Sequence, residues 1–118
     1  MINIERIDHV LITIPLNTRA DARRFYTEKL AFSEILGMHP RGAIWIQLGD
    51  IELHILEEDG HQNASGRHPA LVVKDLEAAK EFLQKENIDI QYSSKIVGRD
   101  RCFFRDPWGN RFELIEFI

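Results

Sequence analysis

The chain says nearly the same thing twice, and that duplication limits its fold more than any other feature. "IDHVLITIP" (7–15) is rich in β-branched residues and stops at Pro15, which is the pattern of a strand. "NTRADARRFYTEKL" (17–30) offers Asn17 or Thr18 as N-cap and places Ala22, Phe25, Tyr26 and Leu30 at helical spacing. "AFSEILGMHP" predicts a strand and a loop, and "GAIWIQLGDIELHILEE" predicts two strands joined at Gly49-Asp50. The second half repeats the order. "HPALVVKD" is a short apolar strand, and Asp75 then caps a helix with Leu76, Ala79, Phe82 and Leu83 on one face. "IDIQYSS" is a strand, and "DRCFFRDPWGNRFELIEF" is a hairpin. Its turn, Asp106-Pro107-Trp108-Gly109, fits type I, with Gly109 free to adopt positive φ.

Each half therefore runs strand, helix, then three strands. The expected fold is α+β: two tandem βαβββ modules whose eight strands form a curved mixed sheet around a cleft, with helices outside. Residues 1–118 form one domain, with module one at 1–58, a polar, glycine-bearing linker at 59–65, and module two at 66–118.

Composition narrows the partners. The formal charge is -4, and the basic residues are scattered, which argues against nucleic acid and against an anionic membrane surface. No signal peptide and no membrane-spanning apolar run are expected, and the single cysteine, Cys102, excludes an intrachain disulfide and fits a reducing compartment. A cytoplasmic protein acting on a small molecule is the expectation.

The repeat carries polar residues with it. His9 opens the first strand of copy one and His68 that of copy two; Glu52 and Glu113 lie in the last strands. Two imidazoles and two carboxylates from pseudo-symmetric sheets can converge on one divalent ion, and this donor set suits zinc, nickel, iron, manganese or cobalt without choosing among them. Glu52 and His54 share a strand face, because side chains alternate with a period of two. His54 then reads as a supporting donor, a substrate contact or a general acid/base, or else as a rim residue. For Glu113 the alternative is an ion pair with Arg101 or Arg111. Trp45 and Gln47 share a face and could wall a pocket, and Arg99 and Arg101 suit a substrate carboxylate or phosphate.

At these residues the chain resembles the vicinal oxygen chelate superfamily, which includes glyoxalase I, extradiol dioxygenases, epimerases, and fosfomycin- and bleomycin-resistance proteins. The resemblance rests on "DHVLITIP…ARRFYTEKLAF", "GDIELHI", "HPALVVKDLEAAKEFL" and above all "FRDPWGNRFELIE". It implies metal ligands at His9, Glu52, His68 and Glu113, with Glu52 or Glu113 able to act as base; His54, from its place on the same strand face, joins them as a candidate catalytic group. It also implies a divalent metal acting as a Lewis acid, an enediolate-like intermediate, and a homodimer. Isomerase, epimerase or lyase chemistry would follow; an extradiol dioxygenase or a metal-free antibiotic-binding protein are the alternatives. The chain departs from the pattern in its long first connection, "IPLNTRADA", and in Ala31, where the family often has glycine.

Overall fold

A computed structural model describes Met1–Ile118. The chain divides into two compact units, Met1–His61 and Gln62–Ile118. Unit one contains β1 (His9–Ile14), α1 (Arg19–Arg24), β2 (Ser33–Glu34), β3 (Ile44–Leu48) and β4 (Ile51–Glu57). Unit two contains β5 (Ala70–Val72), α2 (Leu76–Lys85), β6 (Arg99–Arg105) and β7 (Arg111–Phe117). No helix is long and apolar enough to cross a membrane.

Unit one forms a mixed sheet in the order β1-β4-β3-β2, with β1 parallel to β4 and the other pairs antiparallel. One face is apolar: Ile14, Ile44, Ile46, Leu53 and Ile55 are all essentially inaccessible. Ala22, Phe25, Tyr26 and Leu30 are buried with them. Each fully buried side chain of this size contributes on the order of 1.5–3 kcal/mol. The helix predicted through Leu30 changes pitch after Arg24, and Phe25–Lys29 is a π turn closed by Leu30 N–H donating to the Phe25 carbonyl at 2.9 Å. Thr18 holds the N-cap position, but its hydroxyl donates to the Pro15 carbonyl. The free amides of Thr18 and Arg19 instead donate to Glu57 Oε2, at 2.9 and 3.0 Å. A carboxylate from the end of β4 thus caps the positive end of α1.

Unit two repeats the plan in the order β5-β7-β6, again with a parallel pair, β5 and β7, and an antiparallel one. The strand expected in "IDIQYSS" reduces to one bridge, Gln91 with Phe103, so seven strands form instead of eight. Three residues on, the Ser94 carbonyl accepts from Arg101 Nη2, and a carbonyl held by a side chain is diverted from a ladder. Asp75 caps α2 as the sequence implied, accepting from Ala78 N–H at 3.0 Å. Glu116 of β7 adds a second acceptor for Leu76 N–H at 2.8 Å, just as Glu57 serves α1. Leu76 and Leu83 are buried, but Phe82, expected on the same face, is 39% exposed.

The turn between β6 and β7 is built around Asp106. Its buried carboxylate accepts from the amides of Trp108 and Asn110, at 2.9 and 2.8 Å, and from Asn110 Nδ2 at 2.8 Å. Gly109 has φ +88°, and a Cβ there would lie 2.0 Å from the Asn63 carbonyl oxygen. Both its backbone conformation and its closeness to residue 63 require glycine.

Candidate functional site

In unit one, the parallel register sets His9 opposite Glu52 and Leu11 opposite His54, while the antiparallel register sets Trp45 opposite His54. Paired residues share a face, so His9, Glu52, His54 and Trp45 gather on the side away from the apolar core. His54 Nε2 is 2.9 Å from Glu52 Oε1. His54 is buried, which removes the rim alternative for it. Its ring is stacked between His9, at 4.0 Å, and Trp45, at 4.1 Å, and His39 stacks on the far side of Trp45 at 4.1 Å. Four rings from two strands, the start of β1 and a loop thus form one column. His39 gave no signal in the sequence: its place depends on the loop before β3, where its Nε2 meets the Ile35 carbonyl at 2.7 Å. Gln47 is on the same face, but its amide donates to the carbonyls of Gly49 and Ile51 and is committed to the hairpin.

His9 Nδ1 lies 2.9 Å from Asp8 Oδ2. The hydrogen bond from His9 holds the Asp8 carboxyl below the usual carboxylate range, against an opposing effect of desolvation. An ionised carboxylate can only accept, so Nδ1 carries the hydrogen and Nε2 of a neutral ring presents its lone pair.

In unit two, His68 precedes β5 and Glu113 lies in β7, opposite Ala70. His68 Nε2 is 2.9 Å from Glu113 Oε1, and Glu113 is buried. Arg101 Nη1 approaches the other carboxylate oxygen at 3.5 Å, so the arginine alternative for Glu113 is present alongside the histidine. His68 Nδ1 faces the Gly66 carbonyl at 2.8 Å, and since a carbonyl only accepts, Nδ1 is the donor. In a neutral ring the Nε2 lone pair then points at a carboxylate oxygen. Two acceptors at that distance repel unless a cation, either a proton or a metal ion, lies between them. The donor types, and the hydrogen bonds that orient both imidazoles, fit a divalent metal. No group of three or more His, Cys, Asp or Glu is assembled that could hold a metal ion.

The registers also align the copies. One common interval in the sequence separates His9 from His68, Leu11 from Ala70, His54 from Glu113, and the helix-capping Glu57 from Glu116. The burial patterns of 51–57 and 110–116 are identical along this alignment. The repeat partner of Glu113 is therefore His54, and Glu52 corresponds to Arg111. Matching the glutamates of the two last strands instead pairs residues 61 apart, against the 59 that separates the histidines and the registers. The offset is two residues, which preserves the face and hides the slip.

A sequence profile of the Glyoxalase/Bleomycin resistance protein/Dioxygenase superfamily matches residues 6–114. The chain belongs to this superfamily. Among solved structures, a Bacillus anthracis protein assigned to the glyoxalase family shares 33% identity, with all of both chains covered and a TM-score of 0.90. A glyoxalase family protein from Enterococcus faecalis shares 27% identity over 95% of this chain and 98% of its own, with a TM-score of 0.75. TnmS3, an antibiotic binding protein from Streptomyces sp. CB03234, shares 18% identity over the full length of both, with a TM-score of 0.77, a likeness of fold. No curated protein matches the chain. The glyoxalase assignment agrees with the α+β reading of two βαβββ-like modules forming mixed sheets.

Proposed function

We propose that this glyoxalase-superfamily protein is a divalent-metal-dependent enzyme acting on a small substrate that chelates through two oxygens, with isomerase, epimerase or lyase chemistry. The observation that supports the reading is the His68–Glu113 pair, an imidazole nitrogen and a carboxylate oxygen 2.9 Å apart, donor types that suit a divalent ion. His68 and Glu113 are one half of the ligand set, and His9 and Glu52 are the other. Each pair is incomplete alone, which is why a homodimer and a complete centre belong to the same proposal. A bound zinc, nickel, iron, manganese or cobalt ion would polarise the substrate oxygens as a Lewis acid.

The chain's own residues do the rest. Glu52 and Glu113 are the candidate bases, and either carboxylate can accept a proton from a carbon next to a carbonyl. His54, 2.9 Å from Glu52, is placed to pass that proton on. Trp45 and His9 hold the His54 ring flat between them, which fixes the direction of its nitrogens. One variation is favoured by the register: His54, the counterpart of Glu113, takes Glu52's place as ligand and Glu52 becomes its hydrogen-bond partner.

Calorimetry with nickel, zinc and manganese tests the ligand set. Glu113→Gln keeps the shape and removes the charge. Affinity should fall at least about tenfold, since even outer-shell partners of metal ligands are worth that much. Comparing Glu52→Gln with His54→Gln decides the fourth donor: the ligand's variant loses more. Absent binding in the unmodified protein would favour a metal-free small-molecule binder, a reading that draws on the fold shared with the antibiotic binding protein TnmS3.

A further inference from the structure

The polar face of unit two differs from that of unit one in charge. Arg99, Arg101, Arg105 and Arg111 all share the face of Glu113, because β6 and β7 pair Arg101 with Ile115, Phe103 with Glu113 and Arg105 with Arg111. Arg105 is spent on structure, donating to the carbonyls of Ser65 and Gly109 at 2.8 and 2.6 Å. Arg101 is spent in part, donating through Nη2 to the Ser94 carbonyl and through Nη1 to Glu113 at 3.5 Å, whereas Arg99 and Arg111 make no side-chain hydrogen bond. The Nε atoms of Arg99, Arg101 and Arg111 are buried and have no hydrogen-bond partner. Arg111 lies over the Phe103 ring at 3.9 Å, Arg101 over the same ring at 5.3 Å, and Arg99 over Phe117 at 4.7 Å. The aromatic faces hold the planar groups in place and attract their charge, yet accept none of their Nε hydrogens.

Burying guanidinium N–H donors without acceptors is unfavourable. The one carboxylate on this face, Glu113, is already 2.9 Å from His68, and Arg101 reaches it at a long 3.5 Å. The acids of the neighbouring positions point elsewhere: Glu116 caps α2 and Asp100 pairs with Lys95. Of the three cations, Arg101 alone reaches a carboxylate. In unit one the counterpart of Arg111 is Glu52, so the charge here is not imposed by the fold.

We infer that Arg99, Arg101 and Arg111 form an oxyanion site, beside the His68–Glu113 pair, for a carboxylate or phosphoryl group of a small-molecule ligand. Guanidinium groups present paired N–H donors that match such oxygens, and the preset side chains on Phe103 and Phe117 lower the ordering cost of binding. If the metal reading above holds, the site gives that substrate a negative charge; the inference itself requires no metal.

The test uses metal-stripped full-length protein and follows the arginine Nε–H resonances by NMR at constant ionic strength, with chloride as the reference salt. Inorganic phosphate and malonate are titrated separately, and the tighter of the two identifies the phosphoryl or carboxylate source. Saturating shifts should appear for Arg99, Arg101 and Arg111. Arg111→Gln and Arg101→Gln should each weaken binding at least tenfold, while Arg24→Gln, on helix α1, should leave it unchanged. Arg111→Lys and Arg99→Gln serve if either glutamine variant loses its dispersed spectrum. Shifts that rise linearly for all arginines alike, or an affinity indifferent to these substitutions, would overturn the site. A failure of metal binding would leave this result untouched, so the two proposals fail separately.

Discussion

At the scale of single residues, Ala31 shows how a departure from a family pattern acquires a cause. It follows the helical segment ending at Leu30 and has φ +58°, the left-handed region in which a Cβ is strained. Asn87 holds the equivalent place after α2, also at φ +58°, and asparagine tolerates it better. Ala31→Gly should therefore raise stability by about 0.5–1 kcal/mol, read from urea unfolding midpoints, because relief of strain exceeds the added chain entropy. A lower midpoint would show that the strain is relieved by something else. His54 teaches a different lesson. Its face was legible from strand alternation, but its burial in a ring column was not, since His39 comes from a loop and His9 from a neighbouring strand.

At the scale of elements, most of the order was legible because each strand and helix carries a local signal: β-branched runs, Asp75 before α2, and glycine turns. What escaped depended on contacts distant in sequence. Thr18 looked like the cap of α1, yet Glu57 supplies it from β4. "IDIQYSS" has strand composition but makes a single bridge. The most family-like motif, "DPWGN", proves to be structural, a turn wrapped around the Asp106 carboxylate. Gly109→Ala should cost at least about 2 kcal/mol, since it combines left-handed strain with displacement of the Asn63 backbone. Unfolding midpoints together with the retained or lost β6–β7 amide protection check this. A change under half that size would mean that residue 63 moves aside freely.

For the whole molecule, duplication was the feature read most securely, and its exact alignment the least. The sequence pairs Glu52 with Glu113 as the glutamates of the two last strands, while the registers align His54 with Glu113. Repetition alone also proved a weaker sign of chemistry than expected, since Glu57 and Glu116 repeat because each caps a helix. The proposed homodimer is checked by light scattering, where twice the 13.8 kDa chain mass is expected at micromolar concentration and a monomer mass would count against it. The chain has two tryptophans, one in each unit: Trp45 in the ring column and Trp108 in the Asp106 turn. Indole emission is quenched by a stacked imidazole once that ring gains charge. The molecule thus holds two separate optical gauges, and replacing either tryptophan by phenylalanine leaves a protein whose remaining glow reports on one ancestral half alone.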